Sequence, residues 1–90
     1  MYSIRINNYA KVFSVVMKGT LTKAESRSFA AEFRDEVKRI VPSDYALLID
    51  TKELDVASSE GGNVLEQVRN LALDAAFKAQ YSFAPVSGID

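Results

Sequence analysis

Residues 45–68 read YALLIDTKELDVASSEGGNVLEQV. The opening, YALLID, is a short unbroken apolar run, as expected of a strand buried on both faces. After the polar stretch TKELD, two serines, an acid and two glycines lead into Val64, Leu65, Val68, Leu71, Ala72, Ala75 and Ala79, a stripe at helical spacing. The helix start has two candidate caps. Asn63 with Glu66 three residues on is one; Ser58 or Ser59 is the other. A strand that passes directly into a helix is one half of a parallel crossover unit.

The other half lies upstream. GTLTKAESRSFAAEFRDEVKRIVPSD, residues 19–44, carries Thr22 and Glu25 at capping-box spacing. Phe29, Ala30, Phe33, Val37, Ile40 and Val41 form its apolar stripe, and Arg27, Arg34, Asp35, Lys38 and Arg39 its polar face. Asp35 and Arg39 have favourable i,i+4 spacing, Lys38 and Arg39 suit the helix C-terminus, and Pro42 is expected to end the helix. Before it, KVFSVVMKG places apolar residues on both faces of a central strand. Tyr2, Ile4 and Ile6 alternate with Ser3 and Arg5, a half-buried strand. Asn7 and Asn8 between these strands tolerate positive φ and suit a tight hairpin turn. The end, YSFAPVSGID, alternates at Tyr81 and Phe83 but contains Pro85, which favours an edge. It reads either as a short final strand or as an arm lying on a neighbour.

The expected fold is therefore α/β, in the order β-β-α-β-α, with that end as a short final strand or arm. A right-handed crossover makes the sheet mixed, with both helices on one face. Ninety residues make one domain, 1–90, which buries about 60–65% of the surface its unfolded chain exposes.

Composition removes whole classes of chemistry. The chain has no cysteine and no histidine. Thiolate nucleophiles, histidine bases, disulfides and His/Cys zinc sites are impossible. Lys and Arg number 11 against 12 Asp and Glu, a formal charge of -1, which argues against nucleic acid as a partner and gives no attraction to an anionic membrane. No apolar run approaches the ~20 residues of a membrane span. The N-terminal MYSIRINNYAKVFSVV lacks the basic start and apolar core of a signal peptide, so a cytoplasmic location is the default expectation.

No catalytic constellation stands out. Asp50, Asp55, Lys52 and Glu53 form the one acidic and basic grouping from which an enzyme could be drawn, and solvated surface charge is the commoner fate of such residues. SSEGG lacks the lysine of a phosphate-binding loop. A helix N-terminus attracts anions, but Glu60 already places a carboxylate there. Tyr2, Tyr9, Tyr81 and Phe83 are candidates for an exposed aromatic patch at one sheet edge. No metal and no cofactor is expected.

The hairpin, the GTLT lead-in to the first helix, the ALLID strand and the loop and helix after it resemble STAS domains, found in sulphate transporters and anti-sigma-factor antagonists. The resemblance covers roughly residues 2–80. It implies a regulatory protein-interaction module whose loop before the second helix carries an Asp-Ser-Ser/Thr-Gly phosphorylation motif. Ungapped, Asp50 falls on the family's strand-end aspartate, Ser58 on the motif's aspartate, Ser59 on its first serine, Glu60 on the phosphorylated position and Gly61 on the glycine. Glu60 cannot be phosphorylated, so the family's switch is either fixed in a modified-like state or retired to helix capping. The resemblance also implies further strands and a third helix, for which this sequence has no room. A homo-oligomer, a dimer using the tail, would cover the shortfall.

The expectation is thus a non-catalytic module binding a protein partner or itself, with Asp50, Ser58, Ser59, Glu60, Gly61 and Gly62 as candidate site residues. Two alternatives stand beside it. One is a small-ligand binder, apolar or nucleotide, with a pocket between sheet and second helix at Ala72, Ala75, Ala76 and Ala79. The other is a structural subunit of a homo-oligomeric assembly.

Overall fold

The structure is a computed structural model that describes residues 1–55 and 59–83, with the side chains of 59–65 left aside. The chain runs β1 (Tyr2–Asn7), β2 (Val12–Gly19), α1 (Lys23–Val37), a 3-10 turn (Pro42–Asp44), β3 (Ala46–Leu54), α2 (Ser59–Ala75) and β4 (Ala79–Phe83). The sheet is four-stranded in the order β1-β2-β3-β4. β1 is antiparallel to β2, and β2, β3 and β4 are parallel. A hairpin suffices for the first pair, whereas each parallel pair needs a crossover, supplied by α1 and α2. The expected mixed sheet is present, and the tail's aromatic end is a true edge strand.

The hairpin differs from the expectation. The asparagines keep negative φ, and the positive angle falls on Lys11, at 59°. Asn7 instead shapes the turn through its side chain. Its Oδ1 accepts the amides of Tyr9 at 3.0 Å and Ala10 at 2.9 Å, an arrangement open to any Asx residue at a turn start.

One face of the sheet makes the core. Phe13, Val15 and Met17 from β2, with Leu47 and Ile49 from β3, meet Phe29 and Phe33 from α1 and Val68, Leu71 and Ala72 from α2. Five aromatic rings run through this layer. Tyr2 meets Phe29 edge-on at 5.4 Å, Phe29 meets Phe33, and Phe33 and Phe77 both contact Phe13. Each such pair adds about 0.5–1.5 kcal/mol beyond burial. Phe77, just after α2, escapes a stripe analysis because it lies outside the helix.

α1 starts where the capping box places it. Thr22 Oγ1 accepts the Glu25 amide at 3.1 Å, and Glu25 Oε1 accepts the Thr22 amide at 3.2 Å. It ends earlier than Pro42 would require, at Val37 with Lys38 as the C-cap. Ile40 is only partly buried and Val41 is exposed, so neither extends the stripe. Arg39 pairs with Glu36 at 3.5 Å, its i,i+3 neighbour, rather than with Asp35. Once the helix stops at Val37, the i,i+4 geometry is lost at Arg39. Pro42 instead opens the 3-10 turn, whose carbonyl accepts the amides of Tyr45 and Lys78.

α2 begins at Ser59, so Asn63 lies inside the helix and does not cap it; Ser58 lies outside the described residues. Ala79 belongs to β4 and not to the helical stripe, because α2 stops at Ala75 and Ala76 turns left-handed with φ 57°.

Candidate functional site

The parallel strands end on the side where both helices begin. Gly19 closes β2 with φ +66°, and among the described residues nothing beyond its chain neighbours lies within 4 Å of where a Cβ would stand. Its carbonyl accepts the Asp55 amide at 2.8 Å, and Thr20 Oγ1 donates to Asp55 Oδ2 at 3.2 Å. The connections β2–α1 and β3–α2 are thereby tied together. Crevices at the carboxyl ends of parallel strands are where open α/β sheets bind ligands.

β3 carries an irregularity at this end. Val16 pairs with Asp50, but Lys18 pairs with Glu53, so β3 holds one residue more than β2 between those pairs. Such a bulge re-aims the side chains beyond it. Its effect is visible in burial: Thr51 and Leu54 turn to the core, while Lys52 and Glu53 are exposed. The Thr51 hydroxyl is 3% exposed and donates to the Phe83 carbonyl at 3.0 Å. This bond fastens the end of β4 to β3.

Asp50 does not end its strand, as the family alignment implies; β3 continues to Leu54 because of the bulge. Asp50 is half-buried beside Val16 and Phe83 in register. Its Oδ1 accepts the Lys52 amide at 3.1 Å, and Oδ2 lies 3.9 Å from Lys52 Nζ. The same ammonium stands 5.5 Å from the centre of the Phe83 ring. Asp50, Lys52 and Phe83 thus form one cluster on the sheet face opposite the helices. Ser59, Glu60, Gly61 and Gly62 form the first turn of α2, in the layer on the other side of the sheet. The sheet separates Asp50 from that layer. Glu60 is the second residue of the helix.

The helix-free face is divided by register. Towards β1 it carries Ser3, Arg5, Asn7 and Ser14 with Val12; towards β4 it carries Val16, Ala46, Leu48, Ala79, Tyr81 and Phe83 around the charged Asp50. Tyr81 is 57% exposed and Phe83 46%. The four candidate aromatics therefore do not make one patch. Tyr2 is on the core face of the opposite edge strand, donating to Glu32 Oε1 at 3.0 Å. Tyr9 is exposed at the hairpin tip, and only Tyr81 and Phe83 share a surface. Burial, then the Glu32 carboxylate, pushes the Tyr2 phenol above its ordinary value.

The alanines do not open a pocket beneath α2. Ala72 is 2% exposed in the packed core, as close helix packing demands. A cleft of about 240 Å³ lies instead between the helices, lined by Phe33, Arg34, Val37, Leu71, Asp74 and Ala75 among others. Beside it a more polar cleft of about 380 Å³ is lined by Arg34, Glu66, Gln67, Asn70 and Asp74; the first is below and the second at the low end of the ~300–1,000 Å³ usual for small-molecule sites. Asp50 and Asp55 take different partners, Lys52 and Thr20. Among the described residues no three acids gather as metal ligands, and no helix is long and apolar enough to cross a membrane.

Sequence reasoning missed Leu73, 72% exposed on α2, and the Thr51 bond to β4. An off-stripe leucine is a readable signal for the first; the second depends on the bulge. Compared with known protein families and with characterised proteins, the chain matches no family model and no protein.

Proposed function

We propose that this chain is a non-catalytic interaction module of STAS-like architecture, which engages a protein partner or a second copy through its β4 side. The observation that carries this reading is the exposure of Tyr81 and Phe83 beside Leu48 on a helix-free sheet face. A largely apolar half-face that holds one Asp50–Lys52 pair fits a docking surface better than it fits a solvated sheet. The STAS resemblance rests on the order of hairpin, helix, strand and helix, an order the chain has. Glu60 in the first turn of α2 agrees with a phosphorylation site retired to helix stabilisation. The module works in the cytoplasm, without a cofactor.

Native mass spectrometry of protein purified without denaturation tests the reading. The expected spectrum shows the chain bound to protein, its own copy or another, with no adduct of a few hundred daltons. A chain carrying a stoichiometric small molecule overturns the module in favour of a ligand-binding domain.

A further inference from the structure

We infer that the partner at this surface is a second copy of the chain, joined by antiparallel pairing of β4 with β4 about a two-fold axis at Tyr81; this rests on the interaction-module reading. β4 is an edge strand, so among the described residues alternate backbone N–H and C=O groups along its outer side have no ladder partner. Sheet edges are normally guarded by charge, proline or a bulge. Residues 79–83, AQYSF, contain no charge and no proline. The opposite edge strand, β1, carries Arg5 on the helix-free face. Counting its own residues alone, β4 is the less guarded edge, with Lys78 just before it and Lys52 of β3 beside Phe83.

The sequence of β4 is complementary to itself in that register. Tyr81 lies opposite Tyr81 of the second copy. Phe83 lies opposite Ala79, large against small, and this pairing occurs twice by symmetry. Gln80 lies opposite Ser82 on the other face, an amide against a hydroxyl. No like charges meet. The helix layer continues the same surface: Leu71, Asp74 and Ala75 of α2 line the cleft towards α1, while Leu73 is exposed on the side turned from it. Joining two copies doubles the four-stranded sheet and brings the two α2 helices alongside each other. A five-residue ladder with three apolar side chains makes a short interface, so a reversible dimer with Kd on the order of micromolar is expected.

Sedimentation velocity from low micromolar to submillimolar concentration is the first test. The expected result is a monomer–dimer equilibrium that Tyr81→Lys weakens at least about tenfold, with circular dichroism and Tm unchanged because Tyr81 is exposed. The chain has no cysteine, so Tyr81→Cys introduces a single thiol opposite itself. Mild oxidation should give a covalent dimer from Tyr81→Cys and none from Arg5→Cys on β1. A monomer at every concentration overturns the proposal. So does a dimer unaffected by Tyr81→Lys, or cross-linking through Arg5→Cys alone. If native mass spectrometry finds a different protein on a chain that is monomeric by itself, the dimer is overturned and the interaction module stands.

Discussion

Two residues beside the strand and helix ends test backbone conformation alone. Gly19 has left-handed φ with open space around it, so Gly19→Ala meets only the conformational penalty and should cost about 1 kcal/mol in urea unfolding. Ala76 holds φ 57° just after α2, where glycine is the favoured residue, so Ala76→Gly should gain about 0.5–1 kcal/mol in the same measurement. Charge adds a pH dependence. The Thr22 amide, followed by the amino group of Met1, holds the Glu25 carboxyl below its ordinary range. A lowered carboxyl contributes stability above its unfolded pKa of about 4.3 and loses it as pH falls through the folded value. Glu25→Gln should therefore lower Tm at neutral pH and make no difference in strong acid. The Tyr2 shift runs the other way: its contribution is present below about pH 10 and lost as pH rises through the raised folded value. At this scale the capping box was legible, because Thr22 and Glu25 interact across three residues. Lys11 and Ala76 were not, since neither residue type announces a positive φ.

The elements were legible wherever one period ran unbroken. The Phe29, Ala30 and Phe33 stripe identified α1, and YALLID identified β3. Boundaries failed where tertiary contacts decide them. Pro42, expected as a helix stop, is the start of a 3-10 turn, because α1 ends at Val37. Asp50, expected at a strand end, lies inside β3, because the bulge depends on the neighbouring strand and leaves no mark in one segment. The same bulge turns Thr51 inward to hold β4. Replacing it by valine keeps the shape and removes the donor to the Phe83 carbonyl. Thr51→Val should cost about 0.5–1.5 kcal/mol and speed amide exchange in β4 more than in β1 or β2. Uniform exchange across the sheet would show that the hydroxyl does not anchor the edge.

For the whole molecule, the four-stranded mixed sheet with its helix layer follows from two crossovers and one hairpin. Which sheet face stays open does not follow from any single segment. The polar and apolar halves of the helix-free face emerge only when four strands are set in register, which is why Tyr2 and Tyr9 looked equivalent to Tyr81 and Phe83. The candidate residues of the SSEGG segment remain a matter of resemblance, whereas Asp50 joins Lys52 and Phe83 on the face that β4 borders. The proposed docking surface is β4 with the adjoining half-face. Hydrogen exchange read by mass spectrometry on dilute and concentrated protein tests this most directly. Slower exchange on concentration, confined to peptides covering residues 79–83, is the predicted result. Exchange that is independent of concentration, or slowed in α1 or β1 instead, would contradict it.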